Sequence, residues 1–199
     1  MNARFLMQYF THPRTTGAIM PSSKKLSYKM IENINFNKCN CIVEFGPGTG
    51  VFTEEILKRR NSNTIIMLIE YNEEFYKILK SKYGNIENVY IINDSAENID
   101  YYINKYDITN VDYIVSGLPF ASLPKEMSDK ILEKSKIVLG DDGNFITFQY
   151  TKLKMSLINN YFKNIKAKKE FLNVPPAYVL SCTNKLYGED KDEGIYSYS

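Results

Sequence analysis

A single histidine, His12, stands beside Pro13 in this chain of 199 residues, which removes a histidine base and a histidine-rich metal centre from the chemistry to be considered. Cys39, Cys41 and Cys182 are the only cysteines, too few for a disulfide framework. Cys39-x-Cys41 also lacks the second pair or the histidines of a zinc site, so no metal is expected and all three are assigned as buried thiols. Tryptophan is absent altogether. No apolar run approaches the roughly 18 residues needed to cross a bilayer. The first residues show neither the continuous apolar stretch nor the small-residue cleavage site of a signal peptide, so the sequence predicts a cytoplasmic protein with no transmembrane segment. A net charge of +2 is thin for a nucleic-acid partner. What remains, 44% hydrophobic and 24% charged, is the composition of a soluble globular domain long enough to bury a core. No repeat or low-complexity linker interrupts it, and no pattern sets an oligomeric state.

The most informative stretch is Ile42-Val43-Glu44-Phe45-Gly46-Pro47-Gly48-Thr49-Gly50, a short apolar strand running into a glycine-rich turn. Glycines let the backbone fold sharply and lie flat against a ligand, and a helix beginning near Val51 would offer unpaired N–H groups. A dinucleotide fingerprint needs G-x-G-x-x-G, whereas the spacing here is Glu44-x-Gly46-x-Gly48-x-Gly50. That pattern resembles motif I of S-adenosylmethionine-dependent methyltransferases. The resemblance implies a cofactor without phosphates, whose amino-acid part lies along the turn while the acid before the glycines helps to position it.

Two further segments fall in register. Ile65-Ile66-Met67-Leu68-Ile69 is a buried-type strand ending in Glu70 and Tyr71, and a carboxylate at the tip of a second strand accepts hydrogen bonds from ribose hydroxyls. Val89-Tyr90-Ile91-Ile92-Asn93 leads to Asp94-Ser95-Ala96, which resembles the methyltransferase segment contacting the adenine edge. Asp94 also suits a helix N-cap, and both roles are compatible.

Strand-like segments recur near 42–45, 65–70, 89–93, 112–116 and 144–150. Helical patterns at 54–60, 73–83, 96–105 and 125–138 fall between them, and 165–187 reads as two strands closing an edge antiparallel. The expected fold is α/β: a Rossmann-like class I methyltransferase with a mostly parallel seven-stranded sheet, helices on both faces and an N-terminal helical cap. The expected divisions are a basic amphipathic cap over 1–38, a cofactor-binding domain over 39–187 and a mobile tail over 188–199. Residues 1–38 carry six cations against Glu32 alone, a charge of +5 that leaves −3 for the rest. Leu26, Met30, Ile31 and Ile34 recur there at helical spacing. Such a segment fits an anionic membrane surface, or equally a helix packed over the cofactor pocket.

Asp112-Tyr113-Ile114-Val115 leads into Ser116-Gly117-Leu118-Pro119-Phe120, at the carboxyl end of a strand, where ligands of open α/β sheets bind. Carbonyls of this turn would face a methyl acceptor, and Phe120 and Tyr150 are candidates for an aromatic wall around a cation, or else packed aromatics. Ser116 is placed with the cofactor residues as well.

At this point the chain resembles the bacterial phospholipid N-methyltransferases over nearly its whole length. The resemblance rests on Phe5-Leu6 with Thr16-Gly17-Ala18-Ile19-Met20-Pro21-Ser22-Ser23, the glycine motif from Val43 through Val51-Phe52-Thr53, Val115-Ser116-Gly117-Leu118-Pro119, Phe148-Gln149-Tyr150 and Asn173-Val174-Pro175-Pro176-Ala177. It implies methyl transfer from S-adenosylmethionine to the amine headgroup of phosphatidylethanolamine, by an enzyme peripheral on the inner face of an anionic membrane. One departure is that Tyr178-Val179-Leu180 follows Pro-Pro-Ala where that family often has a tryptophan. The alternative is a ribosomal RNA adenine N6-dimethyltransferase, whose motif I and N-terminal cap look similar. Those enzymes resemble Asn-Leu-Pro-Tyr where this chain has Gly117-Leu118-Pro119-Phe120, and they carry an additional C-terminal helical domain for which no counterpart follows Tyr187.

Overall fold

The computed structural model describes residues 21–149, 155–170 and 177–185. Its strands are β1 (Cys41–Phe45), β2 (Ile65–Ile69), β3 (Val89–Ile92), β4 (Tyr113–Ser116), β5 (Asn144–Gln149), β6 (Asn164–Glu170) and β7 (Ala177–Thr183). The helices are α1 (Pro21–Ile31), α2 (Val51–Arg59), α3 (Glu73–Tyr83), α4 (Ile99–Lys105), α5 (Lys125–Leu139) and α6 (Met155–Asn159). The strands form one sheet in the order β3-β2-β1-β4-β5-β7-β6, parallel from β3 to β5, with β7 antiparallel to both β5 and β6. This is the mostly parallel seven-stranded sheet expected from the alternation of apolar runs and helical patterns.

β1 is buried on both faces because both are covered. Cys41, Val43 and Phe45 meet Ile99, Ile131, Leu132 and Ile158 on one side. Ile42 meets Ile56, Leu79 and the Leu26, Met30 and Ile31 of α1 on the other. The described part of the basic N-terminal segment thus shares the core of the sheet. All three cysteines are free and buried, and burial, aided by the Asp112 charge, pushes the Cys39 and Cys41 thiols up to about 12.

Local differences from the sequence reading have local causes. The expected 96–105 helix is a 3₁₀ turn over Ala96–Asn98 followed by α4, because Asn98 leaves helical geometry at φ −103° and ψ 16°. Asp112 is not in β4; its Oδ2 accepts from the N–H groups of Asn40 (2.7 Å) and Cys41 (2.9 Å), fastening the start of β1. The short helix α6 was not foreseen, since five residues are too few for a periodic signal.

Phe145 is fully buried on β5, its ring stacked on Phe162 at 5.3 Å and edge-on to Phe120 at 6.0 Å. Replacing Phe145 by Ala is expected to cost about 3–5 kcal/mol through lost contact and a residual cavity. Urea unfolding monitored by circular dichroism would show a lower midpoint at unchanged slope; a loss under ~1 kcal/mol would mean that this layer is loosely packed.

Candidate active site

The parallel strands β1, β2 and β4 end level with one another, Phe45 standing opposite both Ile69 and Ser116. Beyond them the turns are stitched together by main-chain bonds. Gly46 N–H donates to the Ile69 carbonyl (3.0 Å), Gly117 N–H to that of Phe45 (2.8 Å) and Glu70 N–H to that of Ile92 (3.0 Å). Gly46, Gly48 and Gly50 all have positive φ, at 61°, 58° and 89°. A Cβ on Gly48 would meet nothing within 4 Å, so backbone conformation alone selects glycine there. At Gly117 space decides, because a Cβ would stand 2.8 Å from the Gly46 carbonyl oxygen and 3.4 Å from that of Phe45.

Three carboxylates lie around these turns in different environments. Glu70 is almost fully buried and accepts from Gly48 N–H at Oε2 (2.9 Å) and Asn72 N–H at Oε1 (2.8 Å). Burial raises its pKa, and the backbone donors Asn72, Gly48 and Tyr71 act against the shift. A carboxylate offers about four acceptor positions, more than these donors fill, so capacity remains for a ligand. Asp94 accepts from Ser95 N–H (2.7 Å), the Tyr102 hydroxyl (2.8 Å) and the Asn98 amide (3.0 Å to Oδ2). Burial would raise its pKa, but these donors together lower it. The side chain that caps the 3₁₀ turn is Ser95, through Glu97 N–H at 3.3 Å, which corrects the assignment of the cap to Asp94.

Glu44 differs from both. It is wholly buried, its Oε2 accepts from the Thr53 hydroxyl (2.7 Å) and its Oε1 has no partner. Burial pushes its carboxyl from 4.5 up to about 8, with the Thr53 hydrogen bond opposing and the Glu70 charge reinforcing. The acid of the glycine motif therefore sits beneath the turn as a mostly protonated group at neutral pH.

A crevice opens above the strand ends. Of the residues predicted for the cofactor, Gly46, Glu70, Tyr71, Asp94, Ser95 and Ala96 line it, as does Leu118 from the turn after β4. Glu44, Gly48, Gly50, Ser116, Gly117, Pro119 and Phe120 do not. Gly48 acts from behind by holding Glu70, and Gly50 forms the left-handed start of α2. Ser116 is buried, its hydroxyl accepting from Leu118 N–H (3.3 Å). The Pro119 carbonyl accepts from Ser122 N–H (2.8 Å), closing the next turn. Phe120 is 1% exposed and packed on Phe145, so the structure places this ring in the core rather than along the crevice. Tyr150, the N-terminal motif residues before Pro21 and the Pro175-Pro176 segment lie outside the described residues.

Other residues of the crevice escaped the sequence reading. Leu123 precedes α5, and Met127 and Ile131 lie one turn apart on it, forming an apolar wall; their i, i+4 spacing was legible but reads equally as core. Asn93 ties the tip of β2 by donating to the Glu70 (2.8 Å) and Tyr71 (3.2 Å) carbonyls. Among the described residues the lining holds Glu70, Asp94 and Glu97 and neither lysine nor arginine. Such a surface opposes a pyrophosphate and suits a ligand with hydroxyl donors, an apolar-faced ring and a cationic centre, as S-adenosylmethionine has.

Because native Glu44 holds its proton and an unfolded one releases it near 4.5, the associated stability is complete at low pH and is lost as pH rises toward about 8. Glu44→Gln is expected to flatten the fall in unfolding free energy between about pH 5 and about pH 8, by at most ~1.4 kcal/mol per pH unit. Urea unfolding across that range measures it, with Glu70 contributing the same residual slope to both proteins. Parallel curves for the two would mean that Glu44 is ionised in the native state.

Comparison with known proteins agrees with this geometry. A family described as ribosomal RNA adenine dimethylase matches residues 20–159. The chain is 28% identical over 181 residues to the ornithine lipid N-methyltransferase of Singulisphaera acidiphila, covering 89% of this chain and 93% of that one. It is 33% identical over 119 residues to ribosomal RNA small subunit methyltransferase A of Mycoplasma capricolum, covering 59% of this chain and 42% of the relative. The same enzyme of a Sulfurihydrogenibium species is 28% identical over 188 residues and is spanned over 67% of its length. Among solved structures, an S-adenosylmethionine-dependent methyltransferase from Aquifex aeolicus shares the fold with a TM-score of 0.59 at 16% identity, over 81% of this chain and 92% of that one. A precorrin-6y C5,15-methyltransferase from Geobacter metallireducens does so at 0.57 and 14%, over 79% and 84%. The chain therefore belongs to the ribosomal RNA adenine dimethylase family, and it is an S-adenosylmethionine-dependent methyltransferase.

Proposed function

We propose that this enzyme methylates the amine of a lipid headgroup, phosphatidylethanolamine foremost, while sitting on the cytoplasmic face of a membrane. The observation that carries the reading is Gly117. The RNA-modifying enzymes resemble Asn-Leu-Pro-Tyr at this turn, and an asparagine there would offer a side-chain amide to a base. With only 2.8 Å between a Cβ at 117 and the Gly46 oxygen, this turn as folded admits no side chain at all. The acceptor then faces main chain, which supports a small amine over a base held by its edge.

Further support comes from the lipid-modifying relative, which is matched along 93% of its length, whereas the Mycoplasma RNA enzyme is matched along 42%. The +5 charge of residues 1–38 favours an anionic surface. Among the described residues no helix is long and apolar enough to cross a membrane, consistent with peripheral attachment.

Glu70 and Asp94 would hold the hydroxyl and ring-edge donors of S-adenosylmethionine, and Leu118, Leu123, Met127 and Ile131 would enclose its ring. When bound, the cofactor supplies a methyl carbon activated by the adjoining sulfonium. The chain's own part is alignment and electrostatics. Carbonyl oxygens of the β1 and β4 turns present partial negative charge at the strand ends, and the carboxylates of the crevice favour a cation. No histidine stands at this rim among the described residues, and an amine entering neutral needs orientation more than a base; its surplus proton leaves to water.

Incubation with labelled S-adenosylmethionine, phosphatidylethanolamine and ribosomal RNA is expected to label the lipid. Label in the RNA and none in the lipid would reverse the assignment. Glu70→Ala is expected to weaken cofactor binding by roughly 1–3 kcal/mol, the loss of hydrogen bonds to a charged acceptor. Titration calorimetry reads this directly, and unchanged affinity would remove Glu70 from the site.

A further inference from the structure

The far edge of the sheet carries a concentration of positive charge outside the crevice. β6 is the edge strand, and Lys166, Lys168 and Lys169 are all exposed on it. Lys168 and Lys169 lie in the half of the strand nearer the active-site rim, and Lys166, level with Val115 through Ser181 and Ile146, lies one residue short of its centre. The register Lys169↔Tyr178 and Gln149↔Tyr178 puts Lys169 level with Gln149, and Ser116↔Thr147 puts Gln149 two residues beyond the end of β4. Three strand spacings separate β6 from β4, so the backbone at Lys168 and Lys169 stands about 14 Å to one side of the Gly117 turn and at its height.

The lysines occupy both faces of the edge. Lys168 reaches Glu32 just beyond α1 (3.1 Å), which also binds Lys29 (2.9 Å), so α1 and β6 are joined through one carboxylate flanked by two cations. Lys25, exposed on α1, adds to that side. Lys169 lies on the opposite face over the Tyr178 ring, 5.7 Å from its centre. The other end of the rim has Asp94 and Glu97 at the crevice. The rim thus has Lys168 and Lys169, followed by Glu170, toward β6, and Asp94 and Glu97 toward β3, with Lys130 3.7 Å from Glu97.

Lysines on an edge strand also deter pairing with another sheet. That role is served by charge anywhere along the strand, and Lys166 short of its centre fits it; Lys168 and Lys169 in addition stand level with the rim. Lysine is a compact, flexible point charge, suited to a diffuse layer of phosphates more than to a fixed planar partner, for which arginine is better.

We propose that the lysine-bearing rim of β6, joined to α1 through Glu32, is the surface on which the protein rests against an anionic bilayer, edge-on, with the Gly117 turn facing the headgroups. This rests on the lipid-amine reading above and adds the docking surface to it. Its test is sedimentation of the full chain with vesicles of equimolar phosphatidylcholine and phosphatidylglycerol. Wild type is expected to bind these vesicles, more weakly as salt is added, and to ignore pure phosphatidylcholine. Lys166→Gln with Lys169→Gln is expected to weaken binding about thirtyfold, at about fivefold per lysine near such a surface. The Lys166→Arg, Lys169→Arg pair is expected to bind as wild type. Circular dichroism and methyl transfer to phosphatidylethanolamine in neutral detergent micelles should be the same for all three proteins. Undiminished vesicle binding by the glutamine pair, or an equal loss in the arginine pair, would overturn the docking surface. So would loss of RNA binding by the glutamine pair with vesicle binding retained. Wild type inactive on micellar phosphatidylethanolamine would instead overturn the lipid-amine reading, whatever the vesicles show.

Discussion

The main-chain approach between the turns after β1 and β4 is the constraint on which the site depends. From β1 the chain winds outward through β2 and β3, then returns to place β4 on the other side and winds the opposite way. At that reversal the turns leaving β1 and β4 part company above the sheet, and ligands of open α/β sheets bind in the gap. Here the gap is held narrow at its base by Gly117 N–H on the Phe45 carbonyl (2.8 Å), with no volume for a side chain between Gly117 and Gly46. Residues that bracket the crevice inherit their positions from this junction: Gly46 and Leu118 border it directly, and Gly48 fixes Glu70 across it.

Around this junction polar groups are sorted by what burial does to them. Glu70 and Asp94 are both met by donors, and Glu70 keeps acceptor capacity for a ligand while its existing bonds immobilise it. Glu44, two residues before the first glycine, points to the other face of β1, where a lone hydroxyl partner does not offset its desolvation. The same residue type thus serves as a preorganised acceptor at the rim and as a nearly neutral strut beneath it, because the number of N–H donors within reach differs.

The proposed choice of substrate turns on features that are small in sequence and large in space. On the proposed reading, the glycine at 117 presents bare main chain where a side chain has no room, and the lysines of the edge strand set which kind of polyanion the rim faces. Neither lines the cofactor crevice, and relatives on this scaffold are named for a lipid in one case and for ribosomal RNA in others.

Much of the fold was legible in the chain because its signals are local. Largely apolar runs of four to six residues leading to Gly46, Glu70, Asp94 and Gly117 give the strands, their order of use and the acids at their tips, since a parallel strand buried on both faces is mostly apolar and ligand groups lie just past its end. What needed the tertiary structure was any property set by neighbours distant in sequence. That Phe120 turns into the core follows from Phe145 lying beside it, and that Ser95 rather than Asp94 caps the 3₁₀ turn follows from Tyr102 and Asn98 occupying Asp94. That Met127 and Ile131 wall the crevice follows from where α5 settles against the sheet. Periodicity determines which face of an element is apolar, but only packing decides whether that face meets the core, a cofactor or a membrane, because burial is a property of the pair and not of the residue.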